Sequence, residues 1–377
     1  MRNIRYEIYP TKAQAEVLLS WISICRQQYN SALLDHQNHY RLHQKGLSRT
    51  KQQKQLVKDK EQYHFLNNVP SQPLQETLFR LQKSFTNFFE KRAKYPKLKT
   101  AKDYRSITFT QFGIGTQTIK DKNDQEKVRI VRYAASLGTC GALCLSKLGD
   151  IRMMRHRNLP GRVHQVIIKQ ERNGRWYASF SVTTNDEPQT HVFDEVGIDQ
   201  GIKKFAVLST GEAIENPKYL RQQEKGLKRD QRRLSRKKKG SNNYKKQLEK
   251  IKKCHTKVKN QRNDFLHKES HRLSTTYRMI AMEDLNVRGM IRNRKLSKSI
   301  QDAGWGRFRF FMAYKCERTG GTLIKVAPHY TSIDCSSCGN RVQKTLSIRT
   351  HVCPCCGLVM DRDVNAAINI LKKAKTI

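Results

Sequence analysis

Apolar and polar positions recur with two different periods along this chain, and the changes of period divide it into segments. Arg5 to Tyr9 alternates as a strand, and Pro10-Thr11-Lys12 punctuates it. From Ala13 the apolar positions Leu18, Leu19, Ile22, Cys25, Tyr29 and Leu33 return every three or four residues, which predicts a helix with one apolar stripe. A second helix after Pro73 repeats the pattern through Leu74, Leu78, Leu81, Phe85 and Phe88-Phe89. Residues from about 11 to 93 therefore read as a helical unit inserted after one strand.

Between Tyr104 and Thr184 the period becomes two. Val128 to Tyr133 alternates, and two β-rich runs between Val166 and Val182 flank Asn173-Gly174, the strongest short hairpin signal. This stretch predicts a small β-barrel or sandwich completed by the first strand. Glu187-Pro188 and Asp194-Glu195 then mark a polar boundary. Beyond it, two short apolar strands lie around Val196-Gly-Ile-Asp199 and Phe205-Ala-Val-Leu. A basic helical region runs from about Leu220 to Leu273, interrupted at Lys239-Gly240-Ser241-Asn242. Two further strands, from Arg278 and from Thr322, enclose a helix bearing Trp305, Phe308, Phe311 and Met312. Strands interleaved with helices predict a mixed α/β domain here.

Charge narrows the partners. The 377 residues include 74 Lys and Arg against 32 Asp and Glu, a formal net charge of +42. Such a field attracts phosphate backbones and releases counterions on binding, so nucleic acid is the expected partner, with an anionic membrane surface or a merely soluble basic protein as the bland alternatives. The run Arg232-Arg233, Arg236-Lys237-Lys238-Lys239 is one-sided in sign and repels itself unless anions neutralise it, which points to a nucleic-acid channel. No stretch approaches the ~20 apolar residues of a membrane span, and the N-terminus lacks the apolar run of a signal peptide. The chain is expected to stay in the compartment where it is made, away from membranes.

Five of the ten cysteines cluster near the C-terminus. Cys335-x-x-Cys338 and Cys353-x-Cys355-Cys356 supply two knuckles, and four thiolates from two such pairs close a tetrahedral Zn²⁺ site. Four ligands suffice, so Cys335, Cys338, Cys353 and Cys356 are the expected set and Cys355 points outward. The remaining cysteines lack paired spacing, which fits a reducing interior better than a disulfide framework. Cys140 and Cys144, in a Gly-rich apolar segment, are expected to be small buried hydrophobes.

Three acids stand at the margins of apolar sequence: Asp199 and Glu283 at strand ends, and Asp363 just before an amphipathic helix visible in Val364, Ala367, Ile368 and Leu371. A lone charge at the edge of a packed sheet is costly, and a divalent cation resolves the cost. Hard oxygen ligands suit Mg²⁺ or Mn²⁺, and two such ions ~4 Å apart activate a water and stabilise the leaving oxygen of a phosphodiester. Asp361 rivals Asp363 for the third place.

These residues resemble the TnpB family of insertion-sequence proteins, relatives of type V CRISPR effectors. The resemblance rests on Val196-Gly-Ile-Asp199-x-Gly-Ile, Ile280-Ala-Met-Glu283-Asp-Leu, Ser299-Ile-Gln-Asp302-Ala-Gly-Trp305, the four-cysteine ribbon and Asp361-Arg-Asp363-x-Asn365-Ala-Ala, in the family's order. The N-terminal half matches more loosely, through Tyr9-Pro-Thr-Lys-x-Gln, Leu74-Gln75-x-x-Leu before Asn87-Phe-Phe, and Tyr95-Pro-Lys. The resemblance implies a multidomain α/β protein. An RNase H-like RuvC nuclease domain (191–330 and 358–377) would carry an inserted zinc ribbon (331–357). A wedge-type β-barrel (1–10 and 94–190) carrying a helical recognition insert (11–93) would precede it.

It further implies an RNA-guided DNA endonuclease that uses an RNA derived from the transposon end and reads a short motif beside its double-stranded DNA target. Asp199, Glu283 and Asp363 would hold the catalytic cations, Asp363 being preferred because the family's Asp precedes x-Asn-Ala-Ala, and Gln75 would contact the target-adjacent motif. A monomer in the cytoplasm of a prokaryote, associated with the nucleoid, is the matching expectation. Two rivals remain: a guide-dependent repressor without nuclease activity, and an RNase H-like transposase that itself joins DNA strands.

Overall fold

The first strand, β1 (Arg2–Tyr9), is paired along both edges, and the N-terminal half is built around it. The computed structural model describes residues 1–120, 126–184, 190–345 and 348–376; the expected boundary at Glu187-Pro188 lies outside them. Two compact units result, Met1–Asn185 and Asp186–Ile377.

In the first unit, α1 (Lys12–His43), α2 (Arg49–Gln62) and α3 (Ser71–Phe89) follow β1. Next come β2 (Ser106–Phe109), β3 (Ile114–Lys120), β4 (Glu126–Arg132), β5 (Ala135–Leu137), β6 (Leu143–Leu145), β7 (Gly149–Met153), β8 (Arg162–Gln170) and β9 (Trp176–Thr183). Seven strands form an antiparallel sheet in the order β2-β8-β9-β1-β7-β6-β5, while β3 and β4 pair as a separate hairpin. Just beyond β2, the Gly113 N–H donates to the Ala135 carbonyl at 2.8 Å, which brings the two ends of the sheet together and nearly closes it. The expected turn at Asn173-Gly174 joins β8 to β9, with Gly174 at φ +84°.

The segment Thr11-Lys-Ala-Gln14 starts α1 with a reciprocal cap: the Gln14 N–H donates to Thr11 Oγ1, and the Thr11 N–H donates to Gln14 Oε1. Gln14 Nε2 also donates to the Asp150 carbonyl of β7, at 3.0 Å.

Some expectations need correction here. Leu19 is 44% exposed, because the buried stripe of α1 runs through Leu18, Trp21, Ile22, Cys25, Tyr29 and Leu33. Phe89 lies beyond the packed face of α3 and is exposed. The helix α2 carries no apolar stripe that would announce it; only Gln52 and Leu56 are buried, and Gln52 Nε2 ties it to the Ala32 carbonyl at 2.7 Å. Cys140 is exposed, in a turn with φ +53°, and Cys144 is only half-buried, so neither is a core hydrophobe.

The second unit contains β10 (Phe193–Gln200), β11 (Lys204–Leu208), β12 (Ala213–Glu215), α4 (Tyr219–Ser235), α5 (Asn242–Thr276) and β13 (Tyr277–Glu283). It continues with α6 (Val287–Met290), α7 (Ser297–Ala303), α8 (Trp305–Thr319), β14 (Thr322–Val326), β15 (Thr350–Val352), β16 (Val359–Asp361) and α9 (Arg362–Ala374). Its sheet has the order β12-β11-β10-β13-β14; the first three strands are antiparallel, and β10, β13 and β14 run parallel. Val196, Ile198, Ile280 and Met282 share a core with Leu266 and Leu273 of α5 and Phe308, Met312 and Cys316 of α8. On the other face Ala281 and Val326 pack on Ile370 and Ala374 of α9. Among the described residues, no helix is long and apolar enough to cross a membrane.

Candidate active site

Strand periodicity decides where the acids stand. Successive side chains of a strand point to opposite faces, so with Val196 and Ile198 facing α5 and α8, Gly197 and Asp199 face α9. In β13, Ile280 and Met282 share the first face, and Ala281 and Glu283 the second. The parallel register pairs Gly197 with Ala281 and Ile198 with Met282. One step further it sets Asp199 beside Glu283 at the same end of neighbouring strands.

The third acid is brought in by α9, which crosses β10 at very close range: a Cβ built on Gly197 would lie 2.0 Å from the Ala367 carbonyl oxygen. Only a residue without a side chain permits that approach. Asp363 is the second residue of α9, which begins two residues ahead of Val364, where the sequence pattern began it. The helix also buries a different face from the one expected. Ala366, Ala367, Ile370 and Ala374 pack inward with Asn365 and Asn369, whereas Val364, Ile368 and Leu371 are half-buried. Small residues are what a helix this close to a strand can bury.

The asparagines stitch α9 to the loop that leads to the cysteines. Asn369 Nδ2 donates to the carbonyls of Thr331 (2.9 Å) and Asp334 (2.7 Å), and Asn365 Nδ2 donates to Asp334 (2.8 Å). The Ser336 N–H in turn donates to Asn365 Oδ1 at 2.8 Å. Asp361 is the N-cap, its Oδ1 accepting from the N–H groups of Asp363 (2.8 Å) and Val364 (3.3 Å). Its other oxygen lies 3.6 Å from Lys204 Nζ.

Electrostatics register the crowding. Burial first, then the charges of Glu283 and Asp363, push the Asp199 carboxyl up to about 8; Arg362 pulls it back and Asp361 adds to the rise. Glu283, 8% exposed, is also raised by burial, opposed by a hydrogen bond from Thr331 and by the charge of Lys373. Arg349 Nη1 stands 3.7 Å from Asp363 Oδ1. Carboxylates gathered this way repel one another, and an added divalent cation reverses the balance.

Cys335, Cys338, Cys353 and Cys356 converge with their Sγ atoms all within 4.8 Å of one another. Each pair closes a tight knuckle: the Gly339 N–H donates to Cys335 O and the Gly357 N–H to Cys353 O, both at 3.0 Å. Backbone N–H groups of Cys356 and Cys355 help lower the Cys353 thiol, whereas Cys338, hydrogen-bonded to the other three thiols, is raised, so protons are shared unevenly across the cluster. Four thiols in this arrangement can hold one tetrahedral metal ion. Cys355 is exposed and stands outside the set.

The basic residues fall on α4 and its exit. Arg232 and Arg233 are in its last turn, Arg236 caps it, and Lys237, Lys238 and Lys239 lie in the turn before α5. Lys225, Lys228, Arg229, Arg232, Arg233 and Arg236 line a shallow cleft of about 340 Å³. Gln75 belongs to the other unit, exposed near the start of α3.

Asp302, read in the sequence only as part of a family motif, has a definite structural task. Its two carboxylate oxygens accept from the Leu220 N–H, each at 3.1 Å, and Oδ1 also meets Arg262 Nη2 at 3.1 Å. It thereby caps the start of α4 and pins α4 to α5. Neither spacing nor periodicity could have disclosed partners 82 and 40 residues away.

Comparison with known proteins supplies the lineage. A family profile described as "Probable transposase" matches residues 179–294, one described as "Cas12f1-like, TNB domain" matches 305–370, and one described as "Helix-turn-helix domain" matches 1–45. A "Putative RNA-guided DNA endonuclease" of Streptomyces pristinaespiralis is 36% identical over 98% of this chain and 88% of its own length. "Putative RNA-guided DNA endonuclease InsQ" of Escherichia coli K12 is 33% identical over 98% of this chain and 92% of its own. Other relatives bear the name "TnpB-like protein". A solved complex of Cas12f1 with sgRNA and target DNA aligns over 98% of both chains at 14% identity and a TM-score of 0.36. The near full-length identity to the first two relatives makes this chain a member of the TnpB family.

Proposed function

We propose that the chain is an RNA-guided DNA endonuclease whose second unit is an RNase H-like, RuvC-type nuclease. The observation that carries this reading is the gathering of Asp199, Glu283 and Asp363 on one face of a five-stranded sheet in a chain of net charge +42. The names of its full-length relatives supply the direction. Asp199, Glu283 and Asp363 are the residues that would hold Mg²⁺ or Mn²⁺. Such ions supply an activated water and charge neutralisation at the leaving oxygen of the phosphodiester. The chain's own part is to present those oxygens and to keep α9 seated on β10. Asp361 is already engaged as the cap of α9, which favours Asp363 as the third ligand.

The four cysteines would hold Zn²⁺ in a ribbon at 331–357, inserted between nuclease segments 191–330 and 358–377. The nearly closed sheet of the first unit, with α1 to α3 inserted after β1, fits a wedge-type barrel (1–10 and 94–190) with a recognition insert (11–93). Gln75 would contact the target-adjacent motif. The cationic residues from Arg232 to Lys239 would meet phosphates of guide RNA or target DNA, with base pairing supplying sequence specificity. The guide would come from the transposon end, and a cytoplasmic monomer is the working assembly.

The test is to copurify the protein with RNA expressed from its native flanking DNA, sequence that RNA, and challenge the complex with a library of guide-matched plasmids in Mg²⁺. A discrete RNA with guide-dependent cutting beside a short fixed motif is the expected result. Guide-dependent binding without cutting would turn the reading to a repressor, and absence of a specific RNA would turn it to a transposase.

A further inference from the structure

Glu283 is gripped by a side chain outside the group of acids. Thr331 Oγ1 donates to Glu283 Oε1 at 2.5 Å, with Thr331 only 2% exposed. The hydroxyl has a single proton to give. Its other acceptor, the Pro328 carbonyl, is 3.4 Å away, so the short contact assigns the proton to the carboxylate.

The position of Thr331 is itself fixed from the far side. Its carbonyl accepts from Asn369 Nδ2 of α9, and both Asn369 and Asn365 hold the Asp334 carbonyl three residues on. These two asparagines are buried. The helix that carries Asp363 therefore also locates the residue that restrains Glu283, although Thr331 and Glu283 are 48 residues apart in sequence.

We propose that Thr331 is a positioning residue for the nuclease: by engaging Oε1 it leaves Oε2 of Glu283 as the oxygen offered to a divalent cation shared with Asp199 and Asp363. The terminal torsion of a glutamate has a broad, nearly two-fold profile, so an unrestrained Glu283 would sample orientations that turn neither oxygen to the cation. Partners that orient a ligating carboxylate this way affect metal affinity strongly. The proposal rests on the reading that these three acids hold the catalytic cation.

The experiment uses the full chain bound to its RNA, with Mn²⁺ as probe. Mn²⁺ binding is followed by the electron paramagnetic resonance of the free ion, and single-turnover cleavage of matched DNA is measured across Mn²⁺ concentrations. Thr331→Val is expected to raise the half-saturating Mn²⁺ roughly 10- to 100-fold in both readouts, with much of the rate recovered at saturation. Thr331→Ser, which keeps the hydroxyl, should titrate like the wild type. A merely structural role would lower the active fraction without moving the midpoint. Thr331→Ala serves the same comparison if the valine variant misfolds. Hydroxyl-free variants titrating as wild type, while Glu283→Gln shifts the midpoint, would overturn the positioning role. An unshifted Glu283→Gln would overturn the assignment of the acids and the proposal with it.

Discussion

Replacing Gly197 with alanine should damage the site through geometry alone, since the substitution alters no charge and no polar group. The added Cβ would stand 2.0 Å from the Ala367 oxygen, 2.9 Å from Leu371 Cβ and 3.0 Å from Leu371 N. Two of these atoms are backbone and cannot swing aside. Non-bonded carbon contacts settle at roughly 3.5–4.0 Å, so α9 must withdraw from β10 by on the order of 1 Å. Overpacking of this kind costs about 1–3 kcal/mol, a fall of roughly 2–12 °C in the melting of a unit this size.

Asp363 rides on α9 and Asp199 on β10, so the same shift separates two of the acids; misplacement by about 1 Å can cost ~10²-fold in rate. The assay is calorimetry together with single-turnover cleavage of guide-matched DNA, with RNA and DNA binding measured on the same samples. Gly226→Ala in α4, where an added Cβ meets nothing within 4 Å, is the control. It should be neutral or stabilise by up to about 1 kcal/mol. Wild-type melting and cutting by Gly197→Ala would refute the claim that close seating of α9 builds the site.

Further consequences can be measured separately. With zinc retained but the acids free of cation, the folded protein holds the Asp199 proton more tightly than the unfolded chain does, about 8 against 3.8. Stability should therefore fall as pH rises between those values, and Asp199→Asn should flatten the slope; parallel melting-versus-pH curves for the two proteins would contradict the burial of that charge. Cys338→Ser should lower bound zinc measured by mass spectrometry while Cys355→Ser leaves it unchanged, and equal loss from both would redraw the ligand set. Asp302→Ala removes the cap of α4 and the partner of Arg262, and should cost about 1–3 kcal/mol in denaturant unfolding; a smaller loss for Asp302→Asn would fit retention of the cap, and no loss for Asp302→Ala would refute the capping role.

The strands that carry Asp199 and Glu283 could be read from the sequence because each is a short apolar run ending in an acid, and a fully buried strand needs little else. The hairpin at Asn173-Gly174 was legible for a similar reason, since its turn chemistry is local. What escaped was set by distant partners. The buried face of α9 is made of alanines and asparagines, a choice imposed by the approach of its backbone to Gly197 and by the carbonyls of Thr331 and Asp334. Apolar periodicity alone picks out Val364 and Ile368 instead. The polar helix α2 gave no signal because most of it faces water. Cys140 departs from expectation because its Gly-rich apolar neighbourhood forms an exposed turn, where the thiol has no core to join.

The joint role proposed for Asp199, Glu283 and Asp363 is the phosphodiester chemistry. Its most direct test is single-turnover cleavage of a guide-matched duplex by Asp199→Asn, Glu283→Gln, Asp363→Asn and Asp361→Asn complexes at saturating Mg²⁺, each checked for RNA and DNA binding. The first three should lose cutting by at least ~10³-fold with binding intact, while Asp361→Asn, which keeps a capping side chain, should still cut. Near wild-type cutting by any of the first three would contradict the account.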